Sequence, residues 1–478
     1  MDNKGIEMKQ SEGEVDKLQT NTGRRKKLPQ YLAAIIMNIA PFTYGVSVAW
    51  SSSAVPKLQS KENQLGIEPI TPEEGSWIGS LICLGAVSAL PVYSYVLQQF
   101  GRKIAGYLVC IPFIVGWILT YFGSSVTTIL IARFIIGLGS GGMLTVCPLY
   151  VAEIAEDSIR GELGSFLVLF INAGLLFSYI IGGLISYHAY ALTTLVFPVL
   201  LLTTFTWLPE TPVYHISKEN PTGAAASLRW LRHAEDDVVR EEIEMLTRTV
   251  RKTKATNESR VTARDLVSTK GTRRALVIGL ALVVNQQLCG IFAIQIFAQM
   301  LFEESKSGLS PYMCTIVFGL LQLIGSFVCP PLMDRAGRKI LMIISNVLMV
   351  ICLVSIGSYF YVKHLDLDVN NIRWIPISGL SLFVLSFSVG MGPVPFVMIS
   401  EIFPPNIRGM ASWLCISVLW LLAFFVGKFF ITISLMVGVH ICFWIFASIC
   451  LMGAIFDVVY IPETKNKSLE EVLQELNK

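Results

Sequence analysis

The sequence predicts an all-α membrane protein with twelve transmembrane helices in two pseudo-symmetric six-helix halves, joined by a cytosolic helical bridge. Three observations predict it. Stretches 28–56, 75–101, 104–132, 163–209, 275–302, 307–333, 340–362 and 374–400 carry no charge at all. Only 15% of the 478 residues are charged and 53% are hydrophobic, against roughly 25% charged in soluble proteins. One polar segment, 209–274, holds 13 of the 37 basic and 10 of the 34 acidic residues. A crossing helix needs about 20 apolar residues. Hydrocarbon offers no partner for a free backbone, so each apolar run has to be helical.

The elements follow in order. Residues 1–29 form a polar tail ending in the basic run Arg24-Arg25-Lys26-Lys27. A cleaved signal peptide would reach its apolar stretch sooner, so the tail reads as retained and the first helix as an uncleaved anchor. The N-terminal half, 30–208, holds spans at 30–52, 76–98, 104–122, 127–152, 164–186 and 189–208. The bridge occupies 209–273. Within it Thr222 can cap a short helix with Ala224, Ala225, Leu228 and Leu231 on one side. A second helix, 236–252, can pair Asp236 with Arg240 and Glu244 with Arg248. A solvated tether and a pad under the two halves both fit this pattern. The C-terminal half, 274–461, holds spans at 274–302, 312–333, 340–361, 375–400, 409–433 and 437–460, and 462–478 is a second tail.

Alternating the loops places 30 Lys/Arg on one side and 5 on the other. The basic excess marks the cytosolic side, so both termini and the bridge are expected there. The sequons Asn257-Glu258-Ser259 and Asn466-Lys467-Ser468 then lie inside and should stay unglycosylated. Trp77, Trp374, Trp207 and Trp413 stand at span ends, as an aromatic belt would. The ten cysteines sit in or beside apolar runs without metal or disulfide spacing, which suits apolar packing. No basic patch is interleaved with aromatics, which argues against nucleic acid as a partner. No metal, cofactor or catalytic constellation is apparent, and the five histidines are scattered.

The two halves repeat each other's punctuation. Leu208-Pro209-Glu210-Thr211 closes the first and Ile461-Pro462-Glu463-Thr464 the second. Gly101-Arg102-Lys103 after span two matches Gly337-Arg338-Lys339 after span eight, where Asp334-Arg335 precede. Span four ends in Glu153 and span ten in Glu401, with Arg160 and Arg408 seven residues beyond. Such duplication marks a transporter that rocks around a central site.

These residues resemble the sugar porters of the major facilitator superfamily. Further motifs are Arg133-x3-Gly137-x3-Gly141, Pro148-x-Tyr150-x2-Glu153, Gln286-Gln287-Leu288-Cys289-Gly290 and Gly392-Pro393-Val394-Pro395-Phe396. The run 297–305 and the ending from Pro462 to Glu471 are most similar to insect facilitated trehalose transporters. The resemblance implies facilitative transport of a sugar across the plasma membrane by a monomer in the lipid bilayer, without a cofactor. It also implies a gating latch between halves, built from Glu153, Arg160, Arg102, Arg338, Glu401, Arg408 and Asp334. For the substrate it implies Gln286, Gln287, Gln322 and Trp420, with Phe292 and Phe396 in the same pocket.

Several positions depart from the family pattern. Phe292 replaces an Asn, Phe396 a Trp, Val168 a Gln, Leu419 an Asn, and Gln98 an Asp of the first helix-end motif. The pocket therefore reads as less polar than a glucose site. That leaves trehalose, a hexose or another small organic solute open, and a non-transporting sugar sensor as a further alternative. Proton-coupled members carry an Asp on span one facing the Arg of span four. Here Ser47 stands at the matching position opposite Arg133, so passive transport is expected.

Overall fold

A computed structural model describes residues 27–233, 236–256, 265–306, 308–467 and 469–477, and among these there is no strand. Arg24-Arg25-Lys26, the Asn257 sequon and Ser468 lie outside the described residues. Among the described residues, twelve helices are long and apolar enough to cross a membrane. Spans one to six are Leu28–Gln59, Pro72–Gln99, Gly101–Phe122, Val126–Ile154, Arg160–Leu184 and Tyr187–Trp207. Spans seven to twelve are Lys270–Ile296, Pro311–Ala336, Arg338–His364, Asn370–Ile402, Ile407–Val437 and Val439–Tyr460. The chain is thus a multi-pass membrane protein. Large apolar side chains such as Ile111, Ile131, Ile344 and Ile351 stay half exposed around the rim, the surface hydrocarbon would cover.

Polar residues set the helix starts. Thr71 and Glu74 exchange hydrogen bonds as a capping box ahead of span two, with Pro72 in the first turn. Ser125 and Ser186 cap spans four and six. Spans seven and ten, expected as single rods, are each broken by a sharp turn. Span seven runs Lys270–Leu288, turns at Gly290, and resumes as Ile291–Ile296 and Ala298–Ser305. Gly290 has φ +88° and a Cβ there would meet the Phe446 ring at 2.3 Å, so the break needs a glycine. Span ten runs Ile375–Val389 and resumes at Val394–Ile402 after Gly390 to Pro393. Pro393 and Pro395 cannot donate to the preceding turn, which ends the first piece. Gly137 lets span four touch span two, since a Cβ would lie 2.2 Å from the Ile82 carbonyl oxygen.

The bridge is a pad, docked on the N-terminal half. Its helices are Pro212–Ser217, Pro221–Arg232 and Asp236–Thr256. Asn220, not Thr222, caps the second, accepting from the Gly223 N–H at 2.9 Å. Pro221 supplies the preset first helical residue, which moves the cap one place ahead of it. Ala224, Leu228 and Leu231 are fully buried, while Ala225 is partly covered. Arg232 is buried as well and donates to the Ile154 carbonyl at the end of span four (2.8 Å). It also pairs with Glu242 at 2.8 Å and Glu156 at 3.4 Å. Asp236 reaches back to Arg229 at 2.8 Å, whereas Glu244 and Arg248 lie 4.0 Å apart, a loose contact. Trp207, Trp374 and Trp413 are exposed, but Trp77 is not a belt residue and packs on Phe424 of the other half. All ten cysteines are buried free thiols.

Candidate functional site: a central cavity between two charged ends

A cavity of about 130 Å³ lies between the halves. Span seven turns Gln286, Gln287, Phe292 and Gln295 toward it, span eight Gln322, span ten Ser388 and Phe396, and span eleven Trp420. The N-terminal half contributes Tyr44, Val168 and Asn172. Tyr44 and Trp420 meet edge to face across the interface, with ring centroids 5.6 Å apart. Three amides are partly committed to the protein. Gln286 Nε2 donates to the Gly392 carbonyl (2.6 Å), a group freed by the break in span ten. Gln322 Nε2 donates to Asn172 Oδ1 (3.0 Å), and Asn172 Nδ2 donates to Ser326 Oγ (2.5 Å). Five buried polar atoms of the lining have no partner among the described residues: Gln286 Oε1, Gln287 Oε1, Gln322 Oε1, Ser388 Oγ and Trp420 Nε1. Each unmade bond costs about 1–3 kcal/mol. A set of four acceptors and a donor beside an aromatic face fits a hydroxyl-rich solute.

The halves close on the face opposite the bridge. Lys428 of span eleven is 7% exposed. Its ammonium donates to Ser76 Oγ at 2.9 Å, lies 3.5 Å from Glu73 and sits 4.6 Å from the Trp77 ring centroid. Tyr312 Oη donates to the Ile180 carbonyl at 2.6 Å and Tyr179 Oη to the Gln295 carbonyl at 3.0 Å, again across the halves.

On the bridge face the charges pair inside each half rather than between halves. Arg102 meets Glu153 at 2.6 Å and Arg338 meets Glu401 at 3.1 Å. Thr211 donates to Glu153 (2.6 Å) and Thr464 to Glu401 (2.5 Å). Glu210 accepts from the Lys103 N–H at 2.9 Å and Glu463 from the Arg338 N–H at 3.0 Å, each at a helix N-terminus. Burial raises the Glu210 carboxyl above its ordinary range, while the Lys103 and Thr211 N–H groups and Arg102 pull it back. Gly101 and Gly337 have φ of +93° and +92°, and a Cβ on either would strike these carboxylates. Each repeat of Gly-Arg-Lys, Glu and Pro-Glu-Thr thus builds one knot per half. Arg160 pairs locally with Asp157 (2.6 Å), and Arg408 donates to the Phe403 carbonyl. Asp334 is exposed and makes no ion pair among the described residues, because the turn at Gly337 leads the chain away from it.

All six side chains expected at the substrate line the cavity. Asn172, Ser388, Gln295 and Tyr44 were not anticipated. Asn172 stands one helical turn after Val168, so the polar group lost at 168 reappears on the same face of span five. Lys428, a lone charge within span eleven that sequence reasoning gave no role, is the cation of the far-face closure. Arg133 donates to the Ser47 carbonyl (2.7 Å), Ser51 Oγ (3.0 Å) and the Ile78 carbonyl (2.9 Å), and lies over Trp50.

The fold is that of solved sugar transporters. A proton:xylose symporter XylE bound to 6-bromo-6-deoxy-D-glucose matches with a TM-score of 0.75 at 22% identity, over 94% of this chain and 99% of that one. A partially occluded inward-open XylE from E. coli matches with a TM-score of 0.76 at 21% identity, over 92% and 99%. In sequence, the facilitated trehalose transporter Tret1 of Bombyx mori is 33% identical over 447 residues, 94% of this chain and 86% of that protein. Tret1 of Anopheles gambiae is 32% identical over 443 residues, 93% of this chain but only 55% of the relative's length. Residues 33–476 match the family described as sugar (and other) transporter. With twelve spans, a duplicated charged knot and that match over nearly its whole length, the chain belongs to the sugar (and other) transporter family.

Proposed function

We propose that this chain is a facilitative uniporter of a sugar, trehalose or a hexose, working by alternating access in the plasma membrane. The single observation that carries this reading is the set of five unpartnered polar atoms around the central cavity. Sugar hydroxyls donate and accept at once, so one solute can satisfy acceptors and donor together. Gln286, Gln287, Gln322 and Trp420 are the polar contacts, with Phe292 and Phe396 as apolar walls. Relatives named as facilitated trehalose transporters support the same substrate class. The basic excess puts both termini and the bridge in the cytosol, so closure at Lys428 makes this conformation inward-facing.

The cavity of about 130 Å³ is well below the ~300–1,000 Å³ of a pocket for a drug-sized ligand. The halves must part further to seat a disaccharide. The two charged knots hold the helix ends of each half together, so that each half moves as a unit. One chain in the bilayer suffices, with no nucleic acid and no cofactor. Uptake of a labelled sugar panel into vesicles holding the purified protein tests this. Saturable entry of trehalose or a hexose is expected; entry of none above protein-free vesicles overturns it.

A further inference from the structure

A second cleft, of about 660 Å³, lies at the bridge-face foot of the C-terminal half, apart from the central cavity. The first turns of spans seven and nine, the end of span twelve and the C-terminal helix Leu469–Asn477 enclose it. That helix is fixed there: its Asn477 accepts from the Gly271 N–H at 2.8 Å and its Leu476 carbonyl from Arg274 at 3.1 Å. Lys270, Arg273, Arg274 and Lys339 line the cleft. Arg273, Arg274 and Lys339 have no ion-pair partner among the described residues, although Lys339 donates to the Val458 carbonyl at 2.8 Å. The one carboxylate of the lining, Glu475, is taken by Lys467 at 2.7 Å.

Below the cations the walls turn apolar and outward: Val277, Val459 and Tyr460 are 58%, 62% and 64% exposed on the flank of the bundle. Uncompensated guanidinium groups above an apolar, bilayer-facing wall fit a molecule with a phosphate at one end and acyl chains at the other. We propose that this cleft binds the headgroup of an anionic phospholipid, its phosphate against Arg273, Arg274 and Lys339 and its chains along Val277 and Val459. Arginine suits phosphate because its planar fork donates two parallel bonds. Basic pockets between membrane helices hold such headgroups, as juxtamembrane cations do. A free phosphate would use the cations but leave the apolar wall bare. The inference is independent of which solute is carried.

Native mass spectrometry of the full-length protein, with dioctanoyl phosphatidylinositol 4-phosphate and dioctanoyl phosphatidylcholine added in equal amounts, reads binding directly. The anionic lipid should dominate the adducts by about tenfold or more, given the gain expected from each nearby cation. The triple variant Arg273→Gln/Arg274→Gln/Lys339→Gln should lose that excess. A charge-matched triple in the bridge, Arg240→Gln/Arg248→Gln/Arg251→Gln, should keep it. Should the first triple fail to fold, the single Arg273→Gln still reads the site, since that side chain is exposed and unpaired. Equal adducts of both lipids, equal loss in both triples, or an unchanged excess in a folded cleft variant overturns the proposal. Displacement of the lipid by millimolar inositol 1,4-bisphosphate as readily as by the lipid itself assigns the cleft to a soluble phosphate and overturns it as well.

Discussion

Gln287 and Trp420 are the cleaner reporters of the cavity at the scale of single residues. Gln286 holds the Gly392 carbonyl through its amide N–H, so Gln286→Ala would also unsatisfy the break in span ten. Gln287 Oε1 and Trp420 Nε1 have no such duty. Gln287→Ala and Trp420→Phe should each weaken sugar binding by ~1–3 kcal/mol, roughly 5- to 150-fold, at near-normal melting temperature. Counterflow affinity checks this, and unaltered affinity in both moves the site elsewhere. The glutamines were legible because they stand as an adjacent pair within the Gln286-Gln287-Leu288-Cys289-Gly290 motif of an otherwise largely apolar span. Asn172 was not, because a lone amide in an apolar run has no spacing signal until the facing Gln322 is known. Lys428 sits on the opposite face of the same interface. Lys428→Met strips its ion pair with Glu73, its bond to Ser76 and its contact with the Trp77 ring. The far face should then open more often. A cysteine introduced at Ser80 should be labelled faster by an impermeant thiol reagent applied from outside; an unchanged rate would mean that Lys428 does not hold the closure.

Helices and their joints show where hydropathy reading stops. It finds apolar length, and every span follows from it. It is blind to the backbone, so spans seven and ten look continuous although each turns inside the bilayer. Pro393 and Pro395 hint at the second break; the first rests on Gly290, whose need appears only once Phe446 is beside it. The bridge is similar. Its amphipathic pattern allowed a pad or a tether, and the deciding residue, Arg232, finds Glu242 ten positions on and Glu156 on another element. No local rule reaches those partners. Arg232→Met should leave two carboxylates uncompensated in a buried site, at a cost of ~3–5 kcal/mol to docking of the bridge. Limited trypsin digestion within 240–254 should accelerate, whereas Arg248→Met, at an exposed loose pair, should leave melting unchanged within about 0.5 kcal/mol. Equal behaviour of the two variants would mean that the pad is not held by Arg232.

For the whole molecule, the duplicated punctuation foretold the two-half plan, and both copies fold into the same knot of Arg, Glu, Thr and a capping Glu. A latch between halves was the expectation for these charges; the pairs formed in this conformation are internal to each half because Pro-Glu-Thr brings the last span of a half back onto its second and fourth. The energy source of transport is also a property of the whole assembly. A proton-coupled carrier needs a carboxylate that titrates within the membrane and faces each side in turn. Arg133 stands where such a pair would form, yet its contacts are the Ser47 and Ile78 carbonyls, the Ser51 hydroxyl and the Trp50 ring. Arginine keeps its proton and cannot carry one alone. Asp457 is buried among spans of the C-terminal half, bound by the Asn346 amide at 2.7 Å, which in turn accepts from Asn285 at 3.1 Å. It is 1% exposed and does not line the central cavity, so substrate binding gives it no access to alternate sides. Net uptake into proteoliposomes should therefore stop at equilibrium, and its rate should be the same with and without an imposed proton gradient. Asp457→Asn should keep that indifference even if it lowers stability. Accumulation above equilibrium that a protonophore collapses would overturn the facilitator reading, and its loss in Asp457→Asn would name the carboxylate responsible.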